Sequence, residues 1–403
     1  MTSATENTHK NASASTRRSA PPKLDFLESA RGIAALVVVL HHVVLGFFLD
    51  AKFPSIELPI GVRSPRILIA LAQSPLSVFM DGTFAVRFFF VLSGFVLSYS
   101  FFMKGGVADA QASARRRYLR LALPVAASVL FAKVLGSTIG FHGSEVANLI
   151  EQPADAWMRQ SFVIPISLRS ALFEASIGAF FRFKREGTLN PSLWTMSIEL
   201  LNSYFVFAFL VLAGGVRYRA LAYAGVAAVI FISPLPGFTL DFLCGIALCD
   251  LFASMNRDAL KAAYVEFIGT ACVLCGLFTG SIGPRLAQLT ANPDPKRTEF
   301  YFQTVRAVLI VGGLLHSRLL QRLLERGPAA KLGKISFSPY LVHHPILASV
   351  ATWTYVRLRL ALDMPHLAAA VLAGVVTIGM SLGTAALAFR FVEQPAIGIS
   401  RRL

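Results

Sequence analysis

Of the 403 residues, 55% are hydrophobic and 15% charged, whereas soluble domains carry about a quarter charged residues, so the composition excludes an ordinary soluble globule and indicates a polytopic membrane protein. The net charge of +16 would suggest a nucleic-acid partner in a soluble domain. Here the basic residues fall between apolar runs, where the positive-inside rule accounts for them, and no stretch sets a basic patch among stacking aromatics, so no nucleic acid is expected.

Residues 1–23 are polar, small and Pro-punctuated, which predicts a disordered cytoplasmic tail. The apolar run behind them is too long for a cleavable signal peptide and lacks a small-residue cleavage site. Windows able to cross a hydrocarbon core of about 30 Å, roughly 20 helical residues, fall at 31–49, 84–103, 118–136, 192–213, 218–232, 237–254, 261–281, 303–317, 336–357 and 366–391. The reading is all-α: a polytopic transmembrane helical bundle of about ten spans over 24–397, the windows at 218–232 and 303–317 being short. The mixed segment 137–191, broken by Pro165 and by charges, is read as extracytoplasmic or re-entrant. Lys and Arg in the connections put both termini, including the tail at 398–403, in the cytoplasm. The lack of a targeting signal favours a bacterial inner (plasma) membrane. Cys244, Cys249, Cys272 and Cys275 lie in apolar runs, where a thiol is a small hydrophobe; the CxxC at 272–275 has no second ligand pair, so no metal is expected.

Ionisable residues inside such windows are costly and are read as functional by default. Arg31 and His42 are eleven residues apart, so at about 100° per residue they share a face, roughly 16 Å apart along the axis, while His41 points about 80° away. The competing reading is a histidine bonded to a neighbouring helix, worth about 1 kcal/mol or less. In the second window Arg87, Gly94 and Ser98 share a face, and Ser93 with Gly94 makes a small patch suited to close approach by a backbone or a ligand. "RRRYLRLALP" (115–124) is either a topology anchor or an anion site, since guanidinium forks suit phosphates. In the second case Arg31 would join Arg116, Arg117 and Arg120, with Lys331 and Lys334 as outer members of the same basic mouth. "NPSLWTMSIELLNSYF" (190–205) buries Glu199, a carboxylate that needs a histidine or arginine partner. "SFSPYLVHHPIL" (336–347) carries His343 and His344, and "FRFVEQPAI" (389–397) carries Glu393, expected in a boundary ion pair. Together they make an acid/base site with an anion entrance. A proton-coupled transporter or exporter using His42, Glu199 and Arg87 as a relay is the alternative, although no repeat or inverted halves support it.

Six segments in order resemble the membrane acyltransferases of acyltransferase family 3, from about Leu24 to Ile397. "RGIAALVVVLHH" resembles the family's Arg-x10-His first helix at Arg31 and His42, "FFFVLSGFVLS" its second-helix motif, and "RRRYLRLALP" its Arg-rich third-helix entry. "LWTMSIE" resembles its Trp-x-x-x-x-Glu element at Trp194 and Glu199, "SPYLVHHP" its Tyr-Leu-x-His element at Tyr340 and His343, and "FVEQP" its terminal Glu-x-Pro signature. After Glu199 the chain reads "LLNSYF" where many members read Glu-Glu-Gln-Phe-Tyr, so roles there do not carry over. The last match ends close to Leu403, so no fused esterase-like domain is expected and transfer would be a single step.

The resemblance implies transfer of an acyl group, most often acetyl, from cytoplasmic acyl-CoA to a hydroxyl of a carbohydrate, glycolipid or other acceptor, with no permanently bound cofactor. Neutral His42 would be the general base, its ordinary pKa of about 6.5 suiting the task. Glu199 would orient an imidazole or bind acceptor hydroxyls, and His343 would be a second proton acceptor or an oxyanion donor. Arg31, Arg116, Arg117 and Arg120 would hold the CoA phosphates; Arg87, Ser93, Trp194 and Tyr340 complete the substrate-binding set. Neither a GxSxG elbow nor an HxxxxD pattern occurs.

Overall fold

Backbone in hydrocarbon must satisfy its own N–H and C=O groups, so apolar windows fold as helices. A computed structural model describes residues 23–104, 106–154, 156–160, 167–232, 237–255, 263–280, 282 and 295–402. Residues 1–22 of the expected tail and the connection 233–236 lie outside the described residues. Helix occupies every apolar window: α1 (Asp25–Phe47), α2 (Gly82–Lys104), α3 (Val107–Thr138), the short α4 (Gly143–Leu149) and α5 (Trp157–Gln160), then α6 (Trp194–Ala213), α7 (Arg219–Ile232), α8 (Phe238–Ser254) and α9 (Ala263–Phe278). There follow α10 (Pro295–His316), α11 (Arg318–Leu324), α12 (Gly327–Lys334), α13 (Phe337–Ile346), α14 (Thr352–Ala361), α15 (His366–Ala388) and α16 (Gln394–Ser400). No strand occurs among the described residues.

Length and apolarity qualify five of these as single-helix membrane spans: Asp25–Phe47, Gly82–Met103, Val107–Thr138, Pro191–Ala213 and His366–Ser400. A sixth is the broken pair α10 and α11, bent by 93°. Ten windows were expected. The remaining helices fall short for a physical reason: α7, α8 and α9 have 14, 17 and 16 residues, about 21 to 26 Å of rise against a core of about 30 Å. The window 336–357 is helical through a π-turn at Leu347–Ala351 between α13 and α14, and its two histidines, two prolines and several hydroxyl residues make it less apolar than the five spans.

Small residues set the closest crossings, as is usual between membrane helices. A Cβ on Gly94 of α2 would overlap the carbonyl of Phe242, and one on Gly245 of α8 would overlap that of Val91. The small patch in the second window therefore divides its work: Gly94 seats α8, and Ser93 faces elsewhere. Gly32 of α1 likewise lies on the backbone of Leu332 in α12.

Three apolar cores result among the described residues. The largest joins α1, α2, α3, α6, α10 and α13. The second lies where α1 ends, and packs Val43, Val44 and Phe47 against Val146, Ile150, Met158, Tyr355 and Ala369. The third packs Phe90 of α2 and Phe207 of α6 with Ile230 of α7 and Phe242 of α8. From the segment 137–191, α4 and α5 contribute a cap, tied down where Gln152 donates to the Gly46 carbonyl at 3.0 Å and Arg159 donates to the carbonyls of Ala147 and Gln152 at 3.1 and 2.9 Å. Further along it, burial raises the Glu174 carboxyl above the usual range. Its oxygens accept from the Thr188 hydroxyl and the Leu189 N–H, which fixes the approach to α6.

Candidate active site

Two parallel helices, α1 and α13, carry the histidines. In α1 the His42 Nδ1 lies 2.8 Å from the Val38 carbonyl one turn back. A carbonyl only accepts, so Nδ1 carries the proton and Nε2 of the neutral ring keeps its lone pair. In α13 the His343 Nδ1 donates in the same way to the Pro339 carbonyl at 3.1 Å, and its Nε2 sits 3.2 Å from His42 Nδ1. The His42 N–H is therefore shared between Val38 and His343. His343 is fully buried, whereas His42 is only partly so.

Pro345 explains how a third helix reaches this pair. Proline lacks an N–H, so the carbonyl four residues earlier, Leu341, loses its helical donor. Asn190 supplies one, its Nδ2 donating to Leu341 at 2.6 Å. The Asn190 Oδ1 accepts the Ser192 N–H at 3.2 Å, capping the turn that opens α6, and the Ser192 hydroxyl meets His344 Nδ1 at 2.6 Å. His344 and His42 have ring centres 4.1 Å apart. From the cap, Trp157 closes the cluster, its ring 6.0 Å from His42 and 5.4 Å from His344. The Trp157 indole N–H is buried without a hydrogen-bond partner among the described residues.

Nearer the start of α1 lies a cavity of about 160 Å³ lined by Arg31, Ser93, Arg117, Arg120, Glu199 and Tyr340, among others. Glu199 accepts from Ser93 at 2.9 Å and pairs with Arg117, whose Nε donates to Ser203 at 2.8 Å. Arg31 Nε donates to Ser336 at 2.7 Å, and Glu393 accepts from Ser338 at 3.0 Å. Tyr340 forms the wall between the two compartments. Its hydroxyl donates to the Ser192 carbonyl at 3.0 Å and lies 2.8 Å from the Thr195 hydroxyl, while its ring centre is 5.9 Å from that of His343.

Several sequence expectations change on this geometry. Glu199 does not orient an imidazole: its place on α6 faces α3, so its partner is Arg117 and it belongs to the arginine cavity. Arg87 does not line that cavity. It makes a buried ion pair with Asp241 at 2.7 Å and lies under the Phe300 ring, because α2 turns that face toward α8 and α10. Trp194 packs on Phe238 and lines a separate shallow groove with Arg182 and Arg185. Arg116 lies off the cavity, one residue from Arg117 and so about 100° round the helix. His41 lodges against Gly82 with its Nδ1 2.9 Å from the Met80 carbonyl. The relay of His42, Glu199 and Arg87 is not formed, since the three sit in separate networks.

Asn190, Ser192 and Trp157 were not among the expected site residues, and His344 was read with His343 but given no role. The "NPS" at 190–192 is a helix-start signal, but its second use as a donor to a proline-freed carbonyl arises only in the packed bundle. Three imidazoles, those of His42, His343 and His344, present ligand atoms within 4.8 Å of one another, a set able to hold a metal ion.

Comparison with known proteins places this geometry. Residues 24–385 match the acyltransferase domain family. The chain is similar to the O-acetyltransferase PaAT-1 of Phomopsis amygdali, 26% identical over 371 residues that cover 80% of this chain and 72% of that protein. No solved structure matches the chain. With the matched region running from the start of α1 almost to the end of α15, the chain belongs to acyltransferase family 3 and is an acyl-transferring enzyme.

Proposed function

We propose that the protein is an integral-membrane O-acyltransferase that moves an acetyl group from cytoplasmic acetyl-CoA to a hydroxyl of a carbohydrate-type acceptor. The observation that carries this reading is His42, whose Nδ1–H is fixed by Val38 and shared with His343 at 3.2 Å, on the same helix as an arginine of the cavity. A base must have its tautomer set and its other nitrogen available. His42 Nε2 takes the acceptor's proton as the hydroxyl oxygen attacks the thioester carbonyl. The positive charge that develops is shared with His343 through the Nδ1–H. The tetrahedral intermediate collapses with loss of the C–S bond, and the leaving thiolate recovers the proton.

Arg31, Arg117 and Arg120 meet the donor at the end of the bundle where α1 begins, which this reading makes cytoplasmic. At about 30 Å³ per water-sized group, the cavity of about 160 Å³ takes the thioester end of the donor and leaves the nucleotide phosphates at its mouth. Ten crossings, with α7 to α9 as short ones, are part of the same proposal. The similarity to PaAT-1 supports the O-acetyl class of reaction, and the discontinuous His42, Glu199 and Arg87 set argues against proton-coupled transport.

The test is transfer from labelled acetyl-CoA to candidate acceptors by purified protein. His42→Ala is expected to lower turnover by about a hundredfold or more, the usual contribution of a positioned base, with donor binding retained. Turnover surviving His42→Ala but lost in His41→Ala would move the base to His41. No CoA release with any acceptor would count against acyl transfer from CoA.

A further inference from the structure

The mechanism uses two imidazoles, yet the cluster holds a third, His344, packed against both. We infer that His42, His343 and His344 form a binding site for a divalent cation of the zinc class. Their ligand atoms already lie within 4.8 Å of one another. Zinc–nitrogen bonds of about 2.0–2.1 Å in tetrahedral geometry need nitrogens a little over 3 Å apart, so closure asks for a shift of up to about 1.5 Å.

The surroundings are those of metal-binding histidines, in which the nitrogen away from the metal is held by a carbonyl or hydroxyl. His42 Nδ1 faces the Val38 carbonyl at 2.8 Å, His343 Nδ1 the Pro339 carbonyl at 3.1 Å, and His344 Nδ1 the Ser192 hydroxyl at 2.6 Å. Nε2 is left on His42 and His344, and on His343 once its contact with His42 Nδ1 opens. An all-imidazole set selects zinc, copper, nickel or cobalt over magnesium or calcium. Binding displaces the contact between His42 and His343, the longest of these four polar contacts. Trp157 stacks edge-on over the cluster, and the partial exposure of His42 leaves a way in.

A bound cation would occupy the lone pair with which His42 takes the acceptor's proton, so zinc should inhibit transfer reversibly. That effect rests on the base assignment above; the binding does not. The experiment titrates the purified full-length protein with Co2+, whose four-coordinate complexes show visible d–d bands, and follows their displacement by Zn2+. His344→Asn keeps an amide where Nδ1 meets Ser192 and deletes the ligand atom. The expected results are bands for one Co2+ per wild-type chain, at least tenfold weaker binding in His344→Asn, and loss of Zn2+ inhibition of the transfer that this variant retains. Absence of bands with the wild type, or unchanged bands in His344→Asn, would overturn the site. Bands without inhibition would support the site and remove His42 as the base.

Discussion

At the scale of single residues, charge placement decides what each arginine does. Arg117 is tied to Glu199 and Ser203 on the wall of the cavity, whereas its neighbour Arg116 is turned away from it. A charge-assisted hydrogen bond contributes about 1.5–3 kcal/mol, which is tenfold or more in affinity. Arg117→Ala is therefore expected to raise the donor KM at least tenfold and leave the acceptor KM unchanged, measured by varying each substrate separately. A change confined to the acceptor KM would put this arginine on the other substrate. His42 and Arg31 were legible as a pair because helical periodicity is a property of one segment. The partners of Glu199 were not, because they come from α2 and α3, and no local spacing encodes which neighbour a carboxylate will meet.

At the scale of elements, the helices are held by a few polar bonds inside apolar contacts. Arg87 on α2, Asp241 on α8 and Thr304 on α10 make one buried cluster, with Thr304 donating to Asp241 at 2.7 Å. Removing one partner of a buried ion pair strands the other charge and costs about 3–5 kcal/mol, whereas apolar replacement of both is often neutral. Arg87→Ala should thus lower the thermal unfolding temperature in detergent markedly, and Arg87→Met combined with Asp241→Leu should recover most of it with turnover retained. A double variant as unstable as Arg87→Ala would show that the pair is not the source of the loss. The Gly94 and Gly245 crossing was half legible: the small patch announced a close approach, and only the packed helices showed that a backbone fills it. The use by Asn190 of the Leu341 carbonyl that Pro345 frees required α6 to lie alongside α13.

At the scale of the whole molecule, the bundle has two ends with different chemistry, an arginine cavity at one and a histidine cluster under a cap at the other. In a background lacking the native cysteines, Lys334→Cys and Arg401→Cys are expected to be shielded from an impermeant thiol reagent in intact cells, and Glu145→Cys and Arg185→Cys to be labelled. The reverse pattern would invert the proposed orientation. Composition and hydropathy by themselves determined the all-helical membrane class and the positions of the long apolar helices, because burial in lipid is a sum over local residues. The order of motifs along the chain likewise identified the family before any contact was known. Tertiary structure alone decided that Glu199 pairs with Arg117, that Arg87 pairs with Asp241, and that Trp157 and His344 pack on His42 with Ser192 bonded to His344. The physical reason is that a buried polar group is satisfied by whichever element lies against it, and that neighbour is set by the packing of helices far apart in sequence.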